Sequence, residues 1–166
     1  MNRADLRSAR GWFALAAAVI VADQIVKWIV LRAFAPGEQR VVTDFFNLVL
    51  VFNKGAAFSL FASAPGWQTP LLATFALVAA AIVSVLIVRN PERRLMCFGL
   101  ALILGGALGN LIDRLHLGSV VDFLDFHALG WHWPAFNVAD SGISVGAVLL
   151  ILEGFVHHEK RVGAAS

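Results

Sequence analysis

Residues 12–34 read WFALAAAVIVADQIVKWIVLRAF, an apolar stretch whose only charges are Asp23, Lys27 and Arg32. Its length matches the roughly 20 residues that a helix needs to cross the hydrocarbon of a bilayer. Arg3, Arg7 and Arg10 precede it, as they would in a cleavable leader, but the run is longer than a signal-peptide core. Asp23 and Lys27 stand four apart, the spacing of neighbours on one helix face, so the stretch reads as a retained, functional membrane helix.

Three further windows have the same character: Leu71 to Val88, Leu95 to Leu111 and Phe136 to Val156. At 166 residues, 59% hydrophobic and 14% charged, the chain has more apolar surface than a soluble domain of this size buries in one core. No internal repeat, low-complexity tract or linker divides it, so residues 1–166 form one domain. The expected fold is an all-α membrane protein with four transmembrane helices. Arg3, Arg7 and Arg10, then Arg89, Arg93 and Arg94, then Lys160 and Arg161 fall on one side of these spans. The excess of basic residues in cytoplasmic loops predicts both termini inside. The net charge of +2 is thus a topology signal and does not favour nucleic acid.

The connections near 35–70 and 112–135 then face outward, with Trp67, Trp131 and Trp133 in the outer aromatic belt. Val41 to Phe52 is dense in Val, Leu and Phe and runs into the turn signal Asn53-Lys54-Gly55, which predicts a strand pair or small sheet. Ser119 to Phe126 predicts a second extended piece before a turn at Gly130. Such strands rest at the outer interface, because open edges do not stand in lipid. Gly105 and Gly109 have the small-residue spacing of closely approaching helices. Cys97, the single cysteine, reads as a buried structural thiol.

Polar residues at membrane depth need a reason, and several collect at one level. Asn110, Asp113 and Arg114 end the third span, while Asn137, Asp140 and Ser141 begin the fourth. Asp122 lies in the short connection between them, so topology brings Asp122 and Asp140 to one end of the molecule. Two carboxylates sharing a site divide one proton, and water between them becomes a nucleophile for a peptide carbonyl. The alternatives are that Asp113 and Arg114 build a structural network with the asparagines and that Asp122 is solvated. Asp23 and Lys27 read as a structural pair with added hydrogen bonding toward a substrate, or as part of a relay in a proton-linked transporter. A lipid-binding scaffold is a third reading. His127 and His132 lack a zinc-ligand motif, and no nucleophile elbow or phosphate loop occurs.

Over nearly its whole length the chain resembles the lipoprotein signal peptidases, the type II signal peptidases of bacteria. The resemblance is carried by Asp23-Gln24-Ile25-Val26-Lys27, Asn53-Lys54-Gly55-Ala56-Ala57-Phe58, Gly105 through Arg114, Val120-Val121-Asp122-Phe123 and Pro134 through Ser141. Five blocks in order are far more specific than any one of them. The resemblance implies an aspartic endopeptidase of the bacterial inner membrane with Asp122 and Asp140 as its catalytic dyad. Asp23, Lys27, Asn53, Gly55, Asn110, Asp113, Arg114 and Asn137 would line or support the site. It implies a diacylglyceryl-modified prolipoprotein as substrate, cut before its lipobox cysteine at the outer leaflet among membrane lipids. No metal or organic cofactor is implied, and a monomer is expected. The outer strands, Val41 to Phe58, would form a β-rich cradle or flap over the substrate.

Overall fold

The apolar runs become four helices: α1 (Arg3–Ala33), α2 (Gln68–Arg89), α3 (Arg94–Leu117) and α4 (Val138–Gly163). This computed structural model describes residues 3–55 and 66–163, with side chains over 9–55 and 66–156. Each helix contains a segment long and apolar enough to span a membrane, namely Ala9–Ala33, Gln68–Arg89, Arg94–Leu117 and Val138–Val156. The protein is therefore a four-span membrane protein, and large apolar side chains such as Ile25, Phe75, Ile82, Val148 and Phe155 are left on its outer faces for lipid.

Several helix limits differ from the expected windows, and two of the differences bear on the site. α3 runs to Leu117 rather than Leu111. Asp113 and Arg114 lie inside the helix because the protein supplies their partners, so polarity alone stops the span too early. The helix ends at Gly118, whose φ of 72° lets its N–H turn back to the Arg114 carbonyl. α4 starts at Val138 rather than Phe136, since the Phe136 backbone exchanges hydrogen bonds with Leu124 at 3.1 and 2.8 Å instead.

α3 is the central helix, packing on α1, α2 and α4. Its glycines explain the close approach. A Cβ at Gly105 would meet the Ala16 carbonyl oxygen at 2.7 Å, and one at Gly106 would collide with the Ala139 carbonyl on α4. Ala16, Ala80, Val83, Ile87, Leu100, Ala101 and Leu104 form the core within the spans. At one end Trp12 Nε1 donates to the Pro91 carbonyl at 3.3 Å, and Arg93 Nη2 pairs with Glu153 Oε1 at 2.5 Å. The start of α1, the α2–α3 link and the far end of α4 thus lie together.

At the opposite end stands a four-stranded antiparallel sheet in the order β1 (Gln39–Thr43), β2 (Phe46–Asn53), β3 (Val120–Ala128) and β4 (Trp131–His132). The expected strand pair in Val41 to Phe52 is present, but its hairpin turn falls at Asp44-Phe45. Asn53-Lys54-Gly55 instead closes β2, with Asn53 Oδ1 accepting from the Gly55 N–H at 2.9 Å. β3 and β4 are joined through Leu129 and Gly130, at φ 52° and 81°, the positive pair that a tight hairpin requires. Val30, Leu50, Val121 and Phe123 form a second core that fixes the sheet on α1. Ala56, Ala57 and Phe58, named above in the sequence blocks and the flap, lie outside the described residues.

Candidate active site

The site is assembled at the first turn of α4. The N–H groups that begin a helix lack partners within it. Here Asn137 Oδ1 accepts from the Asp140 N–H at 2.8 Å, while Asp140 Oδ2 accepts from the Asn137 N–H at 3.3 Å. This reciprocal cap holds the Asp140 carboxyl in one place. The intervening Ala139 N–H donates to Asp23 Oδ1 on α1 at 2.9 Å.

Asn137 is wholly buried and has a second task. Its amide donates to Asp122 Oδ1 at 2.7 Å, to Asn110 Oδ1 at 3.2 Å and to the Val121 carbonyl at 3.2 Å. Asn110 Nδ2 in turn donates to Asp140 Oδ1 at 2.8 Å. The two aspartates are therefore bridged by two amides, each group held by another. Asp122 Oδ2 also accepts from Asn53 Nδ2 at 3.0 Å.

Behind the asparagines lies a cluster of ions. Lys27 Nζ reaches Asp23 Oδ2 at 2.8 Å, Asp113 Oδ2 at 2.7 Å and Asn110 Oδ1 at 2.9 Å. Asp113 also accepts from Gln24 Nε2 at 2.8 Å and from the Val121 N–H at 3.0 Å. Such buried ions are tolerable only when fully paired. Asp23 and Lys27 are 0% and 2% exposed and are held by protein groups. The three ions close on one another and do not form a line of stations across the bilayer, as a relay would. Arg114 ties the strand end to α3, donating to the Gly55 carbonyl at 3.1 Å and the Asn110 carbonyl at 3.4 Å.

Asp122 and Asp140 both line a cavity of about 810 Å³, with Asn53, Asn110 and Arg114 in its polar wall. Ala76 of α2 and Ile143, Ser144 and Val145 of α4 carry it down between those helices, along α3 at Ala107. Asp122 is 2% exposed, so the solvated alternative for it is ruled out. Burial, then the charge of Asp140, push its carboxyl up to about 7, against the hydrogen bonds from Asn53 and Asn137 and the charge of Lys27.

A model of the signal peptidase (SPase) II family matches residues 15–156. The chain belongs to the signal peptidase II family. It is 56% identical over 142 residues to a lipoprotein signal peptidase of Ralstonia nicotianae, covering 86% of this chain and 82% of that one. With the lipoprotein signal peptidase of Cupriavidus necator the identity is 53% over 152 residues, covering 92% and 87%. Two solved bacterial membrane enzymes share the fold. One gives a TM-score of 0.81 at 27% identity over 90% of each chain, the other 0.75 at 28% over 86% of this chain and 90% of that one. Membership of the family makes the protein a peptidase.

The structure brings all ten of the site residues named from the sequence into one connected group, in two layers. Asn53, Asn110, Arg114, Asp122 and Asp140 face the cavity, whereas Asp23, Lys27, Asp113 and Asn137 stand behind them and Gly55 is bound to Arg114. Gln24 belongs to the rear layer and was not singled out; its place next to Asp23 in a membrane span was the available signal. A separate group on the outer sheet was also missed. Asp125 accepts from Asn47 Nδ2 at 2.8 Å and is 2.9 Å from His132 Nδ1. Burial raises the Asp125 carboxyl, but the bonds from Asn47 and His132 and the nearby histidine charges leave it below its usual range. That pairing spans strands 78 residues apart in one case, and no local spacing announces it.

Proposed function

We propose that the chain removes the signal peptide from diacylglyceryl-modified prolipoproteins, cutting before the lipobox cysteine, with Asp122 and Asp140 as an aspartic dyad. One observation carries this reading: two carboxylates from different elements face a single cavity, bridged by Asn110 and Asn137. The cavity continues between α2 and α4, giving a lipid-bound substrate a lateral way in. With both termini cytoplasmic, the sheet and the dyad lie at the outer leaflet of the inner membrane, where the diacylglyceryl group would hold the scissile bond.

Chemistry follows from the shared proton. Asp122, with its carboxyl near 7, carries the proton, and Asp140 is the base. Asp140 takes a proton from water as the water oxygen attacks the carbonyl carbon, and Asp122 gives its proton to the carbonyl oxygen. The product is a neutral tetrahedral diol. In the second step a diol hydroxyl returns its proton to Asp122, Asp140 protonates the departing nitrogen, and the C–N bond breaks. The products are a carboxyl-ended signal peptide and an amine-ended lipoprotein. The dyad is restored, with no covalent bond to the enzyme.

The test is a gel-shift cleavage assay in detergent with a diacylglyceryl-modified prolipoprotein, comparing wild type, Asp122→Asn and Asp140→Asn. Cleavage by the wild type and its loss by at least a thousandfold in both variants is expected. Near-normal turnover by either folded variant would remove that aspartate from the dyad. No cleavage by folded wild type on several lipidated substrates would end the reading itself.

A further inference from the structure

Among the described residues, the hydroxyls on the membrane helices divide into two kinds. Thr74 donates to the Pro70 carbonyl at 2.8 Å, Ser84 to Ala80 at 2.7 Å and Ser141 to Asn137 at 2.9 Å, each bonding four residues back within its own helix. Thr69 crosses to the Gly118 carbonyl at 3.0 Å. Such bonds let a hydroxyl lie in an apolar medium at little cost. Ser144 makes none among the described residues. It is exposed, and it lines the cavity one helical turn from Asp140, on the same face of α4.

We propose that Ser144 hydrogen-bonds the substrate main chain on the signal-peptide side of the scissile bond and helps hold it extended for attack. The inference rests on the peptidase reading above. Ser144 lies about 6 Å from Asp140 along the helix axis, four residues at 1.5 Å each. An extended peptide advances about 3.3 Å per residue, so the hydroxyl meets the chain about two residues before the one whose carbonyl is attacked. There the substrate needs a partner most. A signal peptide crosses lipid as a helix, but the dyad needs it unwound, and each amide group freed by unwinding at membrane depth is costly until something bonds it. The cavity wall beside Ser144 holds Ala107, Ile143 and Val145, whose side chains offer no hydrogen bond, and Ser141, whose hydroxyl proton is already given to the Asn137 carbonyl. Ser144 supplies both a donor and an acceptor at that level. It is a binding group for the extended substrate and takes no part in proton transfer.

The experiment measures steady-state cleavage of a diacylglyceryl-modified lipobox peptide by the full chain in detergent. Ser144→Ala should lower kcat/KM about 5- to 10-fold, the worth of one net hydrogen bond, mainly through KM, without shifting the thermal midpoint. Ser144→Thr, which keeps the hydroxyl, should restore most of the loss. Ser84→Ala, which removes a hydroxyl bonded to its own helix, should match wild type. A substrate with an ester in place of the amide two residues before the scissile bond separates contact from indirect effects: wild type should lose several-fold, and Ser144→Ala should lose little more. Equal kcat/KM for wild type and Ser144→Ala, or the same ester effect in both, overturns the proposal while leaving the dyad intact. If wild type cleaves no lipidated peptide, the peptidase reading fails and this inference fails with it.

Discussion

Asn137 and Asp140 cap one another across the first turn of α4, and in doing so Asn137 also holds Asp122 at 2.7 Å. One helix start therefore sets the position of both carboxylates. Losing a helix cap costs about 1 kcal/mol. Asp140→Ala should show that loss in its thermal midpoint together with loss of cleavage. Asp140→Asn keeps an oxygen for the Asn137 N–H, so it should be equally inactive but nearly as stable as wild type. If the two variants unfold at the same temperature, the reciprocal cap contributes nothing to stability.

The raised carboxyl of Asp122 has two consequences of opposite kind. Its value near 7 means that the pair loses its shared proton as pH rises through that region, so kcat/KM should fall about tenfold per pH unit above it, with an apparent pKa belonging to the dyad. The native state holds a proton that the unfolded chain, with a carboxyl at the ordinary 3.8, has already lost. Stability therefore decreases as pH climbs from about 4 to about 7. Asp122→Asn should be inactive yet more heat-resistant than wild type at pH 8, and this advantage should vanish near pH 4. Thermal unfolding at the two pH values reads it directly.

Lys27 neutralises two buried carboxylates and orients Asn110. Lys27→Met leaves Asp23 and Asp113 without their cation, a defect that costs about 3–5 kcal/mol when a buried pair is broken. Low accumulation in the membrane and a depressed thermal midpoint are expected, with reduced kcat in what survives. A variant as stable as wild type would mean that the cluster is hydrated and the ions do not depend on one another.

Gly106→Ala places a methyl group against the Ala139 carbonyl and Ile143. Overpacking of this kind costs about 1–3 kcal/mol, and relief by shifting α4 would move Asp140. Cleavage should fall more than tenfold. Gly11→Ala, where an added Cβ meets nothing within 4 Å, should be neutral in both respects. Equal behaviour of the two variants would deny the close contact of α3 and α4.

The legible parts of this molecule were those written in one dimension. Apolar runs of the right length marked the spans, and charge at their ends ordered them, because a bilayer imposes length and polarity on a helix directly. Asp122 and Asp140 could be brought to one end by topology, although it took the likeness to a family to choose them over Asp113. What stayed hidden was made by pairing across space. The continuation of α3 through Asp113 depends on Lys27, which lies 86 residues earlier in the chain, and neither charge alone reveals that it will be neutralised. The bond of Asn47 to Asp125 and the lack of a partner for Ser144 among the described residues are equally invisible, since each depends on which neighbours the fold supplies.

The ion pair within α1 also bears on how the chain enters the membrane. Lys27 meets Asp23 four residues before it on the same helix, so α1 already carries its own counter-ion when it emerges, long before α3 has been synthesised. Asp113 likewise emerges beside Arg114. α1 and α3 thus each bring a base with the acid they carry into lipid, which lowers the cost of inserting that acid. Lys27 then gains Asp113 when the helices meet. The same ions that fasten α1 to α3 in the finished protein thereby leave neither Asp23 nor Asp113 without a cation close by in sequence while the chain is incomplete.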